Sequence, residues 1–193
     1  MRIGIFGGTF DPPHVGHLLA ATDATEALAL DRLLFVPAAQ QPLKLGTSSA
    51  PARERLAMVR LLAGVDPRWV VDESEIERGG LSYTVDTLRE LRKRWHDDRA
   101  LELFLLLGAD AAATLPQWRE CAEVAALANV VVLSRGEAQE RDAIGDSAGR
   151  VIAARRVDVS STEIRDRVRA EKSIRGFVPD AIAEYIARGR LYR

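Results

Sequence analysis

The 193-residue sequence predicts an α/β fold with a doubly wound parallel sheet and additional helices at its C-terminal end. Short apolar runs alternate along the chain with longer segments in which apolar residues recur at helical spacing. This alternation is typical of parallel strands joined by crossover helices. Turns rich in glycine, histidine or serine follow directly after the apolar runs, where an open parallel sheet binds its ligands. We therefore expect a Rossmann-like single domain over residues 1–193, with one site along the carboxyl edge of the sheet.

The apolar runs are predicted to be buried strands, because a parallel sheet is covered by helices on both faces. They lie at Arg2–Phe6, Leu33–Pro37, Trp69–Val71, Glu102–Leu107 and Val130–Leu133, with a weaker sixth candidate at Val151–Val159. Helices are predicted at His17–Leu30, Arg53–Ala63, Thr84–Trp95 and Glu120–Ala128, and two more within SSTEIRDRVRA and VPDAIAEYIARGRLY. The polar segment Arg135–Arg150 is predicted to be a mobile surface loop.

Composition and charge narrow the class of protein. Apolar residues make up 47% of the chain, charged residues 28%, and the formal net charge is −1, as is typical of a soluble globular protein. This balance gives no global attraction to a nucleic acid polymer or a membrane surface. The single cysteine, Cys121, and the lack of a signal-peptide pattern after Arg2 predict a cytoplasmic protein. The oligomeric state stays open, and a homo-oligomer is compatible with the sequence.

The stretch GGTFDPPHVGH, directly after the first strand, has the residue types of a phosphate-binding turn. Gly7 and Gly8 let the backbone approach a ligand closely. The helix that begins near Val15 is expected to offer free N–H groups and a positive dipole end. His14 and His17, three residues apart, fall on one face of that helix, and a neutral imidazole can donate a hydrogen bond to phosphate.

The histidine pair has two other interpretations. An isolated histidine most often caps a helix or packs in the core, but a pair beside a glycine turn favours phosphate binding. A zinc site is rejected because His96, the remaining histidine, lies far along the chain and Cys121 has no partner at ligand spacing.

A second group of anion-binding residues occurs near the C-terminus. Ser160, Ser161 and Thr162 precede a predicted helix, so that hydroxyl groups and N–H groups converge on its positive end. Arg165, one turn further, supplies a forked donor that suits phosphate. A serine-rich helix start alone usually indicates a cap, but together with the first motif it favours phosphate binding.

These motifs resemble those of a known superfamily. Gly8, Phe10, Asp11, Pro12, His14, Gly16 and His17 match the GxFDPxHxGH signature of the HxGH nucleotidyltransferases, and VSSTEIR resembles their ISSTxIR element. The segments SYTVDTL and GADAAATLPQW and the C-terminal helix are similar to those of bacterial nicotinate-nucleotide adenylyltransferases. This second resemblance covers nearly the whole chain.

The resemblance implies that the chain is one nucleotidyltransferase domain that transfers the adenylyl group of ATP to nicotinate mononucleotide. The products would be nicotinate adenine dinucleotide and pyrophosphate, with Mg²⁺ carried by ATP, no metal ligand from the protein and no covalent intermediate. The implied catalytic residues are His14, His17 and Arg165. The implied ATP-binding residues are Gly7, Gly8, Thr9, Phe10, His17, Lys44, Gly108, Asp110, Ser160, Ser161, Thr162 and Arg165. The implied mononucleotide-binding residues are Tyr83, Thr84, Trp118 and Arg135.

One departure and several alternatives remain open at this point. Leu43, in QPLK, stands where the family commonly has histidine, although Lys44 is present. Trp118 could instead pack in the core, Thr84 could cap a helix, and Arg135 could be solvated. The alternative functions are transfer to phosphopantetheine or to the amidated mononucleotide, and nucleotide binding without catalysis.

Overall fold

The computed structural model describes residues 1–42, 50–134 and 150–193. These residues form a six-stranded parallel sheet in the order β3-β2-β1-β4-β5-β6. The strands are β1 (Arg2–Gly8), β2 (Arg32–Pro37), β3 (Trp69–Val71), β4 (Glu102–Gly108), β5 (Asn129–Ser134) and β6 (Arg150–Ala153). The strand order confirms the predicted doubly wound, Rossmann-like fold.

The strand order reverses between β1 and β4, which lie side by side at the centre of the sheet. In such sheets a crevice opens outside the carboxyl ends of the two strands at the reversal point. Gly8 ends β1 opposite Pro37, and Gly108 ends β4 opposite Leu133. The glycines singled out from the sequence therefore lie at the edge where a ligand is expected.

Helices cover both faces of the sheet. They are α1 (Val15–Ala27), α2 (Ala52–Ala63), α3 (Ser74–Arg78), α4 (Thr84–Arg94), α5 (Ala109–Thr114), α6 (Cys121–Leu127), α7 (Ser161–Arg169) and α8 (Asp180–Gly189). Helices α1, α2, α7 and α8 contribute to the core on one face, and α4 and α6 contribute to the core on the other.

Side chains alternate between the two faces along each central strand. In β2, Leu33 and Phe35 enter one core, whereas Leu34 and Val36 enter the other. All four are at most 3% exposed. Burial on both faces explains why the strands read as continuous apolar runs rather than as an alternation of apolar and polar residues.

The prediction for the sixth strand was wrong in its second half. Strand β6 ends at Ala153 rather than Val159. The next N–H group in the ladder, at Ala154, still donates to Ser134 O, but that of Arg155 donates to the Asp23 carboxylate on α1. The chain leaves the sheet here because the donor has a charged acceptor on a neighbouring helix.

Other boundaries also differ from the predictions. Arg150 belongs to β6 rather than to the predicted loop, whose remaining residues, 135–149, lie outside the described ranges. Helix α1 begins at Val15 and ends at Ala27, and the positive φ of Ala29, 47°, turns the chain away before Leu30. Helices α3 and α5 were not predicted, because segments this short carry no measurable periodicity. Among the described residues, no helix is long and apolar enough to cross a membrane.

Candidate active site

The segment after β1, residues 9–17, is called the opening turn here, and its two histidines cap helix α1 reciprocally. His14 is the N-cap residue, and its Nδ1 accepts a hydrogen bond from the Gly16 N–H at 3.1 Å. In return, Nδ1 of His17 accepts the N–H of His14 at 3.1 Å. The ring centroids are 3.8 Å apart. This arrangement is a capping box in which both side chains are imidazoles.

The capping geometry determines where each neutral imidazole carries its proton. A ring whose Nδ1 accepts a hydrogen bond is protonated at Nε2, which is then a donor. The capping interpretation of the pair and the phosphate-binding interpretation are therefore compatible. Nδ1 of each ring serves the helix, so the phosphate-binding interpretation concerns Nε2 of each ring.

The prediction that the first turn of α1 offers free N–H groups was wrong. The N–H of Val15 donates to Phe177 O at 3.0 Å, that of Gly16 to His14 Nδ1, and that of His17 to His14 O at 2.9 Å. Phe177 belongs to the segment before α8, which the spacing within the motif does not reveal. The N–H groups of Val15, Gly16 and His17 are thus already paired within the protein.

Gly16 and Phe10 lie against the two rings. A Cβ on Gly16 would lie 2.9 Å from Cε1 and 3.0 Å from Nδ1 of His14, so an alanine here would require the buried His14 ring to shift. The Phe10 ring is 2% exposed and lies edge-on to His17, with centroids 5.0 Å apart. The side chain of Phe10 is therefore part of the core.

The C-terminal motif docks directly onto the opening turn. Ser161 Oγ donates to Pro12 O at 2.8 Å, and Arg165 Nη1 donates to Asp11 O at 2.8 Å. Arg165 Nη2 also donates to Thr162 Oγ1 at 3.1 Å. Ser160 is the N-cap of α7 and accepts the Glu163 N–H. The two halves of the signature thus form one continuous surface, although they are far apart in the chain.

A pocket opens at the carboxyl edge of the sheet beside this turn. Its residues come from the end of β1, the end of β4, the start of α4 and the turn after α5. Among them are Gly7, Gly8, Gly108, Tyr83, Thr84 and Trp118. Three of the predicted ATP-binding residues and three of the predicted mononucleotide-binding residues therefore share one cavity.

The aromatic walls of the pocket are held by polar contacts. Trp118 is half-buried, and its Nε1 donates to Thr114 Oγ1 at 3.1 Å. The Arg119 guanidinium lies over the Tyr83 ring, 4.8 Å from its centroid.

Tyr83 is the N-cap of α4, and within the described ranges no side chain caps that helix. The positive end of α4 therefore faces the pocket through Tyr83 and Thr84, and Thr84 is not its cap.

Arg55 is a structural residue of the site that the sequence reasoning missed. It is 1% exposed, and its guanidinium donates to Thr9 O at 2.8 Å, Ala38 O at 2.7 Å and Ala39 O at 2.9 Å. It thereby ties the turn after β1 to the turn after β2. Burial lowers the pKa of Arg55, while the charge of Asp11 opposes that shift. The signal in the sequence for a buried role of Arg55 was its place on the apolar face of the helix predicted at Arg53–Ala63.

Two further buried groups were also missed. Glu75, 8% exposed, lines the pocket and accepts a 2.6 Å hydrogen bond from Thr87 Oγ1. Burial raises the pKa of the Glu75 carboxyl. Tyr192, next to the last residue, donates from its hydroxyl to Asp11 Oδ1 at 2.8 Å. Neither role follows from a local pattern, since both partners are distant in sequence.

The remaining predicted site residues have varied positions. Thr9 Oγ1 donates to Gln41 Oε1 at 2.9 Å, and Asp110 is exposed in the first turn of α5. Lys44 and Arg135, together with Leu43, lie outside the described residues. Within the described part of the chain, no three His, Cys, Asp or Glu side chains are grouped as metal ligands.

Comparisons with known proteins identify the family. A family model described as cytidylyltransferase-like matches residues 5–167. A protein of Gemmatimonas aurantiaca is 52% identical, over 100% of this chain and 93% of its own length. One from Thermus thermophilus is 44% identical over 100% of both chains. Both are named as probable nicotinate-nucleotide adenylyltransferases. This chain belongs to the nicotinate-nucleotide adenylyltransferase family.

Solved structures of the adenylyltransferase family share the fold. Nicotinic acid mononucleotide adenylyltransferase of Plasmodium falciparum, complexed with NaAD, superposes with a TM-score of 0.77 at 17% identity, covering 99% of this chain and 97% of that one. The same enzyme complexed with APC gives a TM-score of 0.75. At this identity the likeness establishes the Rossmann-like architecture. The family, the enzyme class and the fold class expected from the sequence are thus confirmed.

Proposed function

We propose that this chain joins ATP and nicotinate mononucleotide to form nicotinate adenine dinucleotide and pyrophosphate. The observation that carries the proposal is the paired imidazole cap at the carboxyl end of β1. The cap holds both rings in the turn that follows β1, beside the pocket at the carboxyl edge of the sheet. Donors held in advance of the reaction suit a step in which negative charge moves from one phosphate to another.

The chemistry requires no activated nucleophile from the protein. The 5′-phosphate of the mononucleotide is an anion at neutral pH, and one of its oxygens attacks the α-phosphorus of ATP. The bond between that phosphorus and the oxygen bridging to the β-phosphorus breaks, and pyrophosphate leaves with the electron pair. The protein holds two anionic molecules in line and stabilises the charge that develops on the leaving group.

His14 and His17 would donate to the phosphates nearest the reacting centre. Ser161, Thr162 and Arg165 would bind the triphosphate tail, assisted by Lys44. Arg165 uses Nη1 and Nη2 for Asp11 O and Thr162 Oγ1. A guanidinium carries five N–H donors, so it can bind a phosphate while keeping both contacts.

The backbone at the ends of β1 and β4 would accommodate the rest of ATP. A Cβ at Gly7 or Gly108 would meet no atom within 4 Å, so both glycines border open space. Gly7, Gly8, Thr9 and the backbone of Phe10 would lie along the nucleotide. Gly108 and Asp110 would contact the adenosine.

Trp118 would stack on the pyridine ring of the mononucleotide, since two flat rings bury area without polar cost. Tyr83 and Thr84, at the positive end of α4, would receive the pyridine carboxylate through the backbone N–H groups of that helix start. Arg135 would add a cation on the same side. The carboxylate preference over the carboxamide follows from this helix end, which favours an anion.

Mg²⁺ would arrive with ATP. This ion prefers phosphate oxygens and water in octahedral geometry, and it is often held mainly by the nucleotide. It would neutralise phosphate charge during transfer, and no side chain of this chain is proposed as its ligand.

We further propose that residues 1–193 act as one nucleotidyltransferase domain in the cytoplasm, with no nucleic acid or membrane partner. The six-stranded sheet with cores on both faces supports one domain, the lone cysteine supports the location, and the net charge of −1 supports the absence of such partners.

The test is pyrophosphate release with Mg²⁺-ATP and three acceptors offered in parallel. These are nicotinate mononucleotide, nicotinamide mononucleotide and phosphopantetheine. We expect strong preference for the first. Comparable rates with both pyridine mononucleotides would remove the carboxylate role of Tyr83 and Thr84. No release with any acceptor would overturn the enzymatic proposal.

Two histidine variants provide matched controls. His17→Ala should lower kcat by roughly 100-fold, the scale for a lost donor to developing charge. His96→Ala removes an exposed histidine whose Nδ1 lies 3.0 Å from Lys93 O, at the end of α4. This variant should leave kcat unchanged. Near-normal turnover of His17→Ala would exclude His17 from the reaction.

A further inference from the structure

The C-terminal end of the chain reaches the opening turn through one buried hydrogen bond. The hydroxyl of Tyr192 donates to Asp11 Oδ1 at 2.8 Å, across 181 residues of sequence. Tyr192 is 8% exposed and Asp11 is 3% exposed, so the bond is shielded from water. Burial, together with the charge of Asp11, raises the pKa of the Tyr192 hydroxyl. The hydroxyl therefore keeps its proton and acts as the donor.

Asp11 connects several parts of the site. Its Oδ1 also accepts the N–H of Ala50 at 3.3 Å, and its backbone carbonyl accepts Nη1 of Arg165. Asp11 precedes His14 by three residues, within the same turn. The position of its carboxylate therefore bears on both the imidazole pair and the arginine that binds the turn.

The backbone around Tyr192 is itself unusual. Its φ is 66°, and that of Arg190, the C-cap of α8, is 49°. A side-chain-bearing residue rarely adopts this left-handed conformation, and an aromatic residue does so only where its surroundings hold it. Conformations of this kind concentrate at functional sites. The strained backbone brings the Tyr192 ring into the core beneath the turn.

We propose that Tyr192 is a positioning residue for adenylyl transfer: its hydroxyl fixes the Asp11 carboxylate, and through it the turn that carries His14. This inference rests on the proposed function. Tyr192 contacts neither substrate nor reacting atoms, so its effect reaches the reaction only through Asp11. The C-terminal residues would thereby contribute to the site without themselves donating a hydrogen bond to the substrate.

Tyr185 offers a matched control on the same C-terminal segment. Its hydroxyl donates to Glu54 Oε2 at 2.7 Å, and this bond also raises its pKa. Glu54 belongs to the first turn of α2 rather than to the opening turn. Tyr185→Phe and Tyr192→Phe therefore each remove one hydroxyl–carboxylate bond, but only the second affects Asp11.

The first readout is steady-state pyrophosphate release. Tyr192→Phe should lower kcat about tenfold or more, because small displacements of positioned groups are costly in rate. The KM for the mononucleotide should change little, since Tyr83, Thr84 and Trp118 are untouched. Tyr185→Phe should keep kcat within about twofold, although it also loses a hydroxyl–carboxylate hydrogen bond. Equal kcat values for the two variants would overturn the proposal.

The second readout does not depend on activity. The chain has three histidines, so His14, His17 and His96 can each be followed by imidazole NMR. Tyr192→Phe should shift the His14 and His17 signals and leave that of His96 in place, whereas Tyr185→Phe should move none of them. Unmoved His14 and His17 signals would overturn the proposal even if no acceptor is turned over. Inactive wild-type protein would instead overturn the proposed function alone.

A double-mutant cycle tests the route through Asp11. If Tyr192 acts on the turn only by holding that carboxylate, Tyr192→Phe should have little further effect in an Asp11→Ala background, where residue 11 has no side-chain acceptor. Additive effects on the two histidine signals would contradict this route.

Discussion

Arg165 donates a hydrogen bond from Nη1 to the backbone carbonyl of Asp11 at 2.8 Å, across 154 residues of sequence. The same guanidinium holds Thr162 through Nη2. The residue that completes the second motif therefore binds it to the first, together with Ser161. The planar fork of the guanidinium serves both directed contacts at once, and under the proposed function it would also bind a phosphate.

Arg165→Lys should accordingly be far from neutral. A lysine keeps the charge, but a single ammonium cannot span Asp11 O, Thr162 Oγ1 and a phosphate in the same geometry. We expect kcat to fall about tenfold or more, measured by pyrophosphate release. Arg169→Lys is the control on the same helix, since Arg169 forms an exposed ion pair with Asp166 and should tolerate the change. Equal rates for the two variants would show that the forked geometry is dispensable.

Gly16→Ala should disturb the imidazole pair without adding or removing charge. The new Cβ would come within 2.9 Å of the His14 ring, which is itself only 8% exposed and has little room to move. We expect kcat to fall about tenfold or more, with about 1 kcal/mol of stability lost with the cap. Gly64→Ala is the comparison, because its Cβ would make only an ordinary 3.5 Å contact. A wild-type kcat in Gly16→Ala would mean that the ring position is not critical.

Trp118→Ala should weaken binding of the mononucleotide and leave binding of ATP unchanged. Stacking of a base on an aromatic side chain is worth about 1–3 kcal/mol, or roughly 5- to 150-fold in affinity. We expect the KM for nicotinate mononucleotide to rise within that range. Trp118→Phe, which keeps a flat ring in the pocket, should recover most of the loss. An unchanged KM in Trp118→Ala would remove this residue from the binding site.

Glu75→Gln should change how stability depends on pH. Burial raises the pKa of Glu75 above its ordinary value of 4.5, so the folded protein binds more protons than the unfolded chain between the two pKa values. The contribution of Glu75 to stability is therefore complete below about pH 4.5 and is lost as pH rises through the folded pKa. Glutamine keeps an oxygen acceptor for Thr87 and removes the titration.

The Tm of Glu75→Gln relative to the wild type should thus become more favourable as pH rises from 4.5 towards 8. Thermal unfolding at several pH values measures the difference. Glu77→Gln, an exposed position on the same helix, should show a constant difference. A constant difference for Glu75→Gln as well would mean that its carboxyl titrates as in the unfolded chain.

Much of the fold and part of the site were predictable from local patterns. The apolar runs placed β1 to β5 within a residue or two of their ends, because burial on both faces of a parallel sheet leaves continuous apolar stretches. Likewise, residues directly after those runs had to meet at one edge of the sheet. Gly8 and Gly108 accordingly lie in one pocket, as expected from their positions, and Tyr83 and Trp118, expected there from the family resemblance, line it too.

What the sequence by itself determined was composition and spacing: which segments are buried, which turns hold glycine and histidine, and which family they match. Only the tertiary structure decided the partners. Phe177 takes the Val15 N–H, Tyr192 holds Asp11, and Arg55 joins the turns after β1 and β2. Periodicity and caps are local, whereas these hydrogen bonds join residues that become neighbours only when the helices pack on the sheet.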